Sequence, residues 1–271
     1  TVSEKCIEVL GRRNKHYLSR GTESKNIEDL TDAVTSYFIG TAIRSIQEEE
    51  LGRAYQSSAL IHCDIAQKAH KWQSELIASV VNGVCRAICS RPQEERMDML
   101  IRELYHDFEQ SNKKARTQGL IDVKLPPRTA VIKRMQQIFE REDYRIYVVN
   151  SQNDVPNMLD DSGQLKLSCT ANIFIGGSIL DRGITIGKMI CFFYGRDPKK
   201  FQMDTVLQHA RMFGARDKED MAVTRFHTTP AIYQVFSHMN EIDDQLRETL
   251  ISWEAESGDA PLEAIFVGYD K

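Results

Sequence analysis

Five short segments of this chain read as strands, most of them almost continuously apolar, and they constrain the fold more than any other feature. Strands that are buried on both faces show this pattern, whereas strands of a one-sided antiparallel sheet alternate apolar and polar residues. Segments with helical periodicity separate several of the apolar runs, which favours an α/β layered fold with a parallel sheet flanked by helices. The predicted strands cover residues 57–63, 145–150, 172–176, 188–194 and 221–227.

Helical periodicity marks most of the remaining sequence. The predicted helices cover residues 27–50, 64–88, 93–118, 128–141 and the stretch from 231 onwards. Together with the strands, they divide the chain into three parts. These are a helical N-terminal lead over 1–54, a sheet domain over 55–230 with a helical insertion at about 92–141, and a C-terminal helix and tail over 231–271.

The overall charge of the chain argues against a free-standing DNA-binding domain. Of its 271 residues, 41% are hydrophobic and 27% are charged, and the formal net charge is −4. The chain as a whole therefore lacks the excess of positive charge that is typical of such domains, and any DNA contact must come from local patches. Two small basic clusters are candidates for phosphate contacts, although solvated loop tips are the simpler interpretation. They are Lys113, Lys114 and Arg116, and Arg196, Lys199 and Lys200.

Two further absences bear on location and on metals. No apolar run approaches the roughly 18 residues that a membrane helix needs, and no signal peptide is visible, so we expect a cytoplasmic protein without a membrane partner. Cys85 and Cys89 share a predicted helix face, and His62 and His70 lie nearby in the sequence. Because zinc sites favour closer, paired ligands, we predict reduced cysteines and no metal site.

The first segment that indicates chemistry begins at a predicted strand. The strand over 172–176 ends in Gly176-Gly177, where glycine allows a sharp turn. Such a turn lies at the carboxyl edge of a parallel sheet, where α/β folds bind ligands. Asp181-Arg182-Gly183 follows and adds a carboxylate, a guanidinium and a flexible position. Taken alone, this segment also fits a structural turn with a surface ion pair.

The second segment reads as a short helix followed by an arginine. Gln208 and Arg211 are three residues apart and therefore share a helix face. Gly214 can end the helix in the left-handed conformation, and Arg216 then projects from the rim. Two guanidinium groups and an amide at one edge suit a polyphosphate. An exposed amphipathic helix with solvated arginines is the alternative.

Together the two segments resemble motifs five and six of superfamily 2 helicases, and most closely those of the Z-one (Z1) domain. That family reads roughly G-G-x-x-L-x-R-G-x-T and then Q-x-G-R-x-F-G-x-R. The chain follows the first pattern over 176–185 and the second over 208–216. It departs at Ala210, where the family usually has glycine, and alanine is the better helix former. The resemblance extends over roughly residues 27 to 250.

The resemblance implies the second RecA-like lobe of a P-loop NTPase-type ATPase. Arg211 and Arg216 would be its arginine fingers, one or both touching the γ-phosphate of ATP held by a first lobe. Gln208 would position these arginines or the attacking water. A loop after the third strand would couple the state of the nucleotide to DNA. The residues of this loop are Gly176, Gly177, Asp181, Arg182, Gly183 and Thr185.

The groups that bind nucleotide and metal in such ATPases are absent from the sequence. It contains no G-x-x-x-x-G-K-[ST] phosphate loop, since Gly187-Lys188 is followed by Met189. No apolar strand ends in Asp-Glu. The chain also begins with Thr1 rather than Met. We therefore expect a piece of a longer ATP hydrolase, whose first RecA-like lobe binds ATP and Mg²⁺, with neither bound to this piece alone.

The resemblance further implies a DNA-dependent translocase of a bacterial restriction or defence system. Its nuclease would be a separate subunit, because no strand here carries an Asp…Glu-x-Lys arrangement. Two alternatives stay open. One is a non-catalytic DNA- or protein-interaction module whose helical insertion binds a partner. The other is an ATPase that remodels proteins without nucleic acid.

Overall fold

The computed structural model describes residues 1–11, 27–63, 67–90, 95–149, 158–176, 186–195 and 216–257. The helices are α1 (Glu4–Gly11), α2 (Glu28–Glu50), α3 (Gln67–Cys89), α4 (Glu95–Thr117), α5 (Arg128–Glu140), α6 (Lys218–Val223) and α7 (Pro230–Ser257). The strands are β1 (Ser57–His62), β2 (Tyr144–Val149), β3 (Ala171–Gly176), β4 (Met189–Tyr194) and β5 (Arg225–Thr228).

The five strands form one parallel sheet in the order β2-β3-β1-β4-β5. The first strand in the sequence therefore lies at the centre, hydrogen-bonded to β3 on one side and to β4 on the other. This sheet, flanked by helices, confirms the predicted α/β class. Four of the five predicted strands agree with the structure to within one residue at each end.

The sheet is covered on both faces, which explains its continuously apolar strands. All six residues of β1, of β3 and of β4 are buried. Along β1, Ala59 and Ile61 point into the larger core with helices α2 to α5, whereas Leu60 points into a second core on the other face. The second core includes Phe174, Phe192 and the first turn of α7.

Helix α2 is buried around almost its whole circumference. Nearly every residue from Leu30 to Ser45 is buried, because α2 lies between the sheet and helices α4 and α5. At Gly40 a side-chain Cβ would lie 3.3 Å from Cδ1 of Ile190 and from the carbonyl oxygen of Val223. The predicted helical lead and the helical insertion thus share one hydrophobic core with the sheet.

The hydroxyl of Tyr37 joins α2 to the amino ends of β1 and β3 by hydrogen bonds. It accepts a hydrogen bond from the backbone N–H of Asn172 at 2.8 Å and lies 3.1 Å from the carbonyl oxygen of Ser57. The side-chain amide of Asn172 donates to the same Ser57 carbonyl at 3.0 Å. All three side chains are buried, so each of these polar groups depends on the others for its partner.

The predicted strand over 221–227 is wrong in its first half. Residues 218–223 form helix α6, and only Arg225–Thr228 pairs with the sheet. In this helix Asp220 is 2% exposed and bonded to Arg44, whereas Met221 is 50% exposed. A pattern of apolar residues does not report this buried ion pair, so it could not indicate that Asp220 faces inward.

The C-terminal helix α7 begins on the second core and then becomes polar. Ile232 and Phe236 pack with Tyr194 and Phe226 on that face of the sheet. Further along, the helix carries exposed ion pairs such as Arg247–Asp243. Across the described ranges, no helix is both long and apolar enough to cross a lipid bilayer.

Tyr37→Phe tests the hydrogen bonds that the Tyr37 hydroxyl makes between α2 and the sheet. The change leaves the buried N–H of Asn172 without its acceptor, and we expect the free energy of unfolding in urea to fall by about 1–3 kcal/mol. The matched control is Tyr233→Phe, whose ring is 59% exposed and whose substitution is expected to change stability by less than about 0.5 kcal/mol. Equal effects of the two changes would contradict the role of the Tyr37 hydroxyl.

Candidate functional site

At the carboxyl edge of the sheet, His62 connects the ends of three adjacent strands. It is the last residue of β1, and its Nδ1 lies 2.6 Å from the carbonyl oxygen of Gly176, the last residue of β3. The backbone N–H of Gly195, directly after β4, donates to the carbonyl oxygen of His62 at 2.9 Å. Because a carbonyl oxygen only accepts, Nδ1 of His62 must carry the proton.

The surroundings of His62 hold its ring in place. The residue is 1% exposed, and its ring centroid lies 5.4 Å from that of Tyr194 at the end of β4. The Tyr194 carbonyl in turn accepts a hydrogen bond from the hydroxyl of Thr228 at the end of β5. A chain of hydrogen bonds and ring contacts therefore runs along this edge from β3 to β5.

Helix α1 closes the same edge beside β4 and β5. The backbone N–H of Val2 donates to the carbonyl oxygen of Thr228 at 2.9 Å. A Cβ at position 195 would collide with Cδ1 of Ile7 and would lie 3.2 Å from Sγ of Cys63. Any larger residue at position 195 would force the Ile7 side chain to move, so the space beside Gly195 is occupied by a side chain of α1.

Most motif residues identified in the sequence lie outside the described residues. Among the members of the first segment, only Gly176 is described, as the last residue of β3. Arg216 is the described member of the second segment. The members that lie outside are Gly177, Asp181, Arg182, Gly183, Thr185, Gln208 and Arg211, together with the basic residues Arg196, Lys199 and Lys200.

Arg216 lies at the opposite end of the strands from Gly176. It is partly buried just before α6, where burial lowers the pKa of its guanidinium while the nearby Asp220 and Tyr55 act in the other direction. Tyr55 precedes β1 and therefore marks the amino edge of the sheet. The sequence predicted that Gly176 and Arg216 share one sheet edge, but a strand of six residues, roughly 20 Å, separates the two edges.

A network of charges surrounds this amino edge. Asp220 accepts hydrogen bonds from Nε of Arg44 at 2.7 Å and from the hydroxyl of Tyr55 at 2.9 Å, and the side chains of Arg44 and Asp220 are both 2% exposed. Burial alone would lower the pKa of the Arg44 guanidinium, but its bond to Asp220 raises it overall. Lys188 adds contacts of 3.3 Å to Asp220 and 2.9 Å to Asp217.

The cleft beside this network does not resemble an anion site. It has a volume of about 740 Å³ and is lined by both Arg216 and Arg44. Acidic side chains accompany these arginines, so the lining of the cleft carries both positive and negative charges. The acidic residues that line it are Glu48, Glu50, Asp122, Asp217 and Glu219.

One of the two predicted basic clusters is described, and it lies on a helix rather than in a loop. Lys113, Lys114 and Arg116 are exposed in the last two turns of α4. The guanidinium of Arg116 lies 2.7 Å from a carboxylate oxygen of Asp122, so part of the positive charge of the cluster is neutralised.

The cysteines do not form a metal centre with His62. Cys85 and Cys89 share one face of α3, while His62 is bonded to Gly176 at the carboxyl edge of the sheet. Burial is the main cause that raises the pKa of the Cys85 thiol to about 11, which disfavours the thiolate that binds metals. In the part of the chain that the structure describes, no three His, Cys, Asp or Glu side chains form a metal-binding group.

The architecture defines an α/β protein with a five-stranded parallel sheet between layers of helices. Residues 29–266 match the family model of the Z1 domain. The chain therefore belongs to the Z1 domain family. No curated protein sequence and no solved structure matches it.

Two structural features of the site were missed in the sequence. The sequence indicates His62 only as a possible metal ligand, although the end of a buried strand, where it lies, is the carboxyl edge of the sheet. The pair of Arg44 and Asp220 joins residues 176 positions apart, and no local pattern indicates such a distant partner.

Asp220→Asn tests the charge network. The asparagine keeps the shape of the side chain but leaves Arg44 with a buried charge that is only partly compensated. We expect the free energy of unfolding to fall by about 3 kcal/mol, the low end for a broken buried pair, because Glu48 still contacts Arg44 at 2.7 Å. Asp243→Asn, which breaks the exposed pair with Arg247, is the control, with a loss below about 1 kcal/mol. A comparable loss in both variants would argue against the network.

Proposed function

We propose that this chain is the second RecA-like lobe of a DNA-dependent, helicase-like ATPase. A first lobe, elsewhere in a longer protein, binds ATP and Mg²⁺, and this lobe supplies arginine to the phosphates. The longer protein translocates on DNA within a bacterial restriction or defence complex, together with a separate nuclease subunit. Membership of the Z1 domain family and the parallel sheet support this proposal.

The main support for the proposal is the position at which the chain leaves the sheet before each motif segment. The first continues from Gly176 at the end of β3. The second, over 208–216, lies on the connection that leaves the sheet at Gly195, directly after β4, and reaches α6 just after Arg216. These strands flank β1 on either side, and His62 bonds to both glycines. The carboxyl ends of neighbouring parallel strands are where α/β proteins bind ligands.

Different roles for the two arginines fit the structure best. In this proposal Arg211 is the finger that reaches the γ-phosphate, and Gln208 positions it or the attacking water. The location of Arg216 beside Asp220 at the amino edge supports a different role. It anchors the end of its segment through the charge network, and it acts on turnover only through that anchoring.

The contacts of Lys188 support a nucleotide site on another part of the longer protein, because this lysine does not act as the lysine of a phosphate loop. In a phosphate loop the lysine follows a strand and faces the phosphates. Here Lys188 precedes β4 and contacts Asp217 and Asp220 instead. Burial lowers the pKa of its ammonium group, but the hydrogen bond to Asp217 and the charge of Asp220 raise it overall. Lys188 therefore belongs to the charge network.

Contacts with DNA are proposed for two groups of residues. The state of the nucleotide is coupled to the DNA backbone by the loop residues Gly176, Gly177, Asp181, Arg182, Gly183 and Thr185. The two basic clusters supply phosphate contacts, and the exposure of Lys113 and Lys114 on α4 is compatible with this role. The second cluster consists of Arg196, Lys199 and Lys200.

Arg211→Ala in the longer protein tests the proposal. Loss of an arginine finger is expected to lower DNA-stimulated ATP turnover by about 10³-fold or more, while the Kd for ATP changes only a few-fold. Arg216→Ala is expected to lower turnover less. Arg247→Ala, on the polar part of α7, is the control and should leave turnover unchanged. Turnover and nucleotide binding are measured by phosphate release and by titration with a fluorescent ATP analogue.

The other outcomes distinguish the alternatives. Full turnover in Arg211→Ala would contradict the proposal and favour a non-catalytic interaction module. Turnover that depends on Arg211 but is not stimulated by DNA would favour an ATPase that remodels proteins.

A further inference from the structure

The side chain of His62 continues the pairing of the sheet where the backbone ladder ends. Between β1 and β3 the last paired residues are Ile61 and Ile175. One residue further, the imidazole Nδ1 of His62 bonds the carbonyl of Gly176 at 2.6 Å. On its other side Gly176 pairs with Val149 of β2. The last residue of β3 is therefore held on both sides before the chain leaves the sheet.

The main chain of the same residue holds the end of β4. The carbonyl oxygen of His62 accepts the N–H of Gly195 at 2.9 Å, one residue beyond the pair of His62 with Tyr194. Ile7 of α1 packs against Gly195 from outside. One buried residue thus connects the two points from which the motif segments continue, although these points are 19 positions apart in the sequence.

We propose that His62 is a positioning residue, which fixes the start of the segment after Gly176 relative to the start of the segment after Gly195. The function of this positioning rests on the ATPase role proposed above. In that role, the coupling loop and the arginine finger must act on one nucleotide at the same time. A displacement of about 1 Å between reacting groups can cost about 100-fold in rate. His62 bonds Gly176 through its imidazole and Gly195 through its main-chain carbonyl, so its imidazole bond contributes to turnover by keeping the first segment aligned with the second.

The chemistry of the bond suggests which substitutions conserve it. Nδ2 of an asparagine occupies nearly the position of Nδ1 of the histidine and can donate to the same carbonyl. A leucine has a similar apolar volume but no donor, and it leaves the carbonyl of Gly176 without this partner. His62→Asn and His62→Leu therefore separate the hydrogen bond from the filling of the core.

The first readout is hydrogen–deuterium exchange of the full-length protein, followed in peptides that cover residues 177–185 and 196–215. His62→Leu is expected to raise exchange about 10-fold in residues 177–185, the size expected for one lost buried hydrogen bond, and His62→Asn should restore most of the protection. Exchange in residues 196–215 should change little, because Gly195 is bonded to the main-chain carbonyl of His62, which both variants keep. The control is Tyr105→Phe, which removes a hydrogen bond to the carbonyl of Pro126 in the helical layer, far from Gly176 and Gly195. It should leave both segments unchanged.

The second readout is the steady-state kinetics of DNA-stimulated ATP turnover by the same variants. His62→Leu is expected to lower kcat by about 10- to 100-fold with little change in KM, and His62→Asn to recover most of it. Exchange in residues 177–185 that stays unchanged in His62→Leu, or that rises equally in His62→Asn and His62→Leu, would overturn the positioning role. The expected exchange pattern in a protein without any ATP turnover would support the positioning role and refute the ATPase proposal.

Discussion

The pairing of β1 with β3 on one side and β4 on the other is the constraint on which the rest of the structure depends. It places the first strand of the chain at the centre of the sheet, so that the two later strands must lie on opposite sides of it. Because all of these strands are parallel, both motif-bearing segments continue from the same edge. The possibility of a shared site follows from this topology and not from the sequence separation of the motifs.

Polar side chains secure this central strand at both of its ends. At the amino end, the hydroxyl of Tyr37 and the amide of Asn172 connect α2, β1 and β3. At the carboxyl end, His62 makes the corresponding connection between β3 and β4. Between these ends the contacts are almost entirely apolar and do not specify register strongly, whereas buried hydrogen bonds with one geometry do. The apolar core thus provides most of the driving force, and the polar contacts align the strands.

Much of the fold could be predicted because buried segments have a recognisable apolar pattern in the sequence. The continuously apolar runs indicated the parallel sheet, and helices α3, α4 and α5 agree with their predicted ranges to within a few residues. Residues 221–227 were misread because the inward position of Asp220 depends on Arg44, far away in the sequence. The burial of α2 on nearly all sides was equally hidden, because its threonines and serines look like a solvent-facing surface.

The candidate site could be predicted only in part. Its two segments were recognisable from glycine and arginine spacing, and both continue from strands that the sequence located correctly. The sequence could not show that Arg216 lies at the amino edge of the sheet. The edge at which a residue lies depends on the path of the connection between two strands, which no local pattern indicates. It also could not show that a side chain of α1 occupies the space beside Gly195, since this contact joins distant parts of the chain.

The most direct test of this account is an experimental structure of the longer protein bound to DNA, ADP and aluminium fluoride, which mimics the transferred phosphoryl group. We expect the Arg211 guanidinium within about 3 Å of a fluoride. The segment after Gly176 should lie between the nucleotide and the DNA, with the bond between His62 and Gly176 intact. A nucleotide bound out of reach of both motif segments would contradict the account.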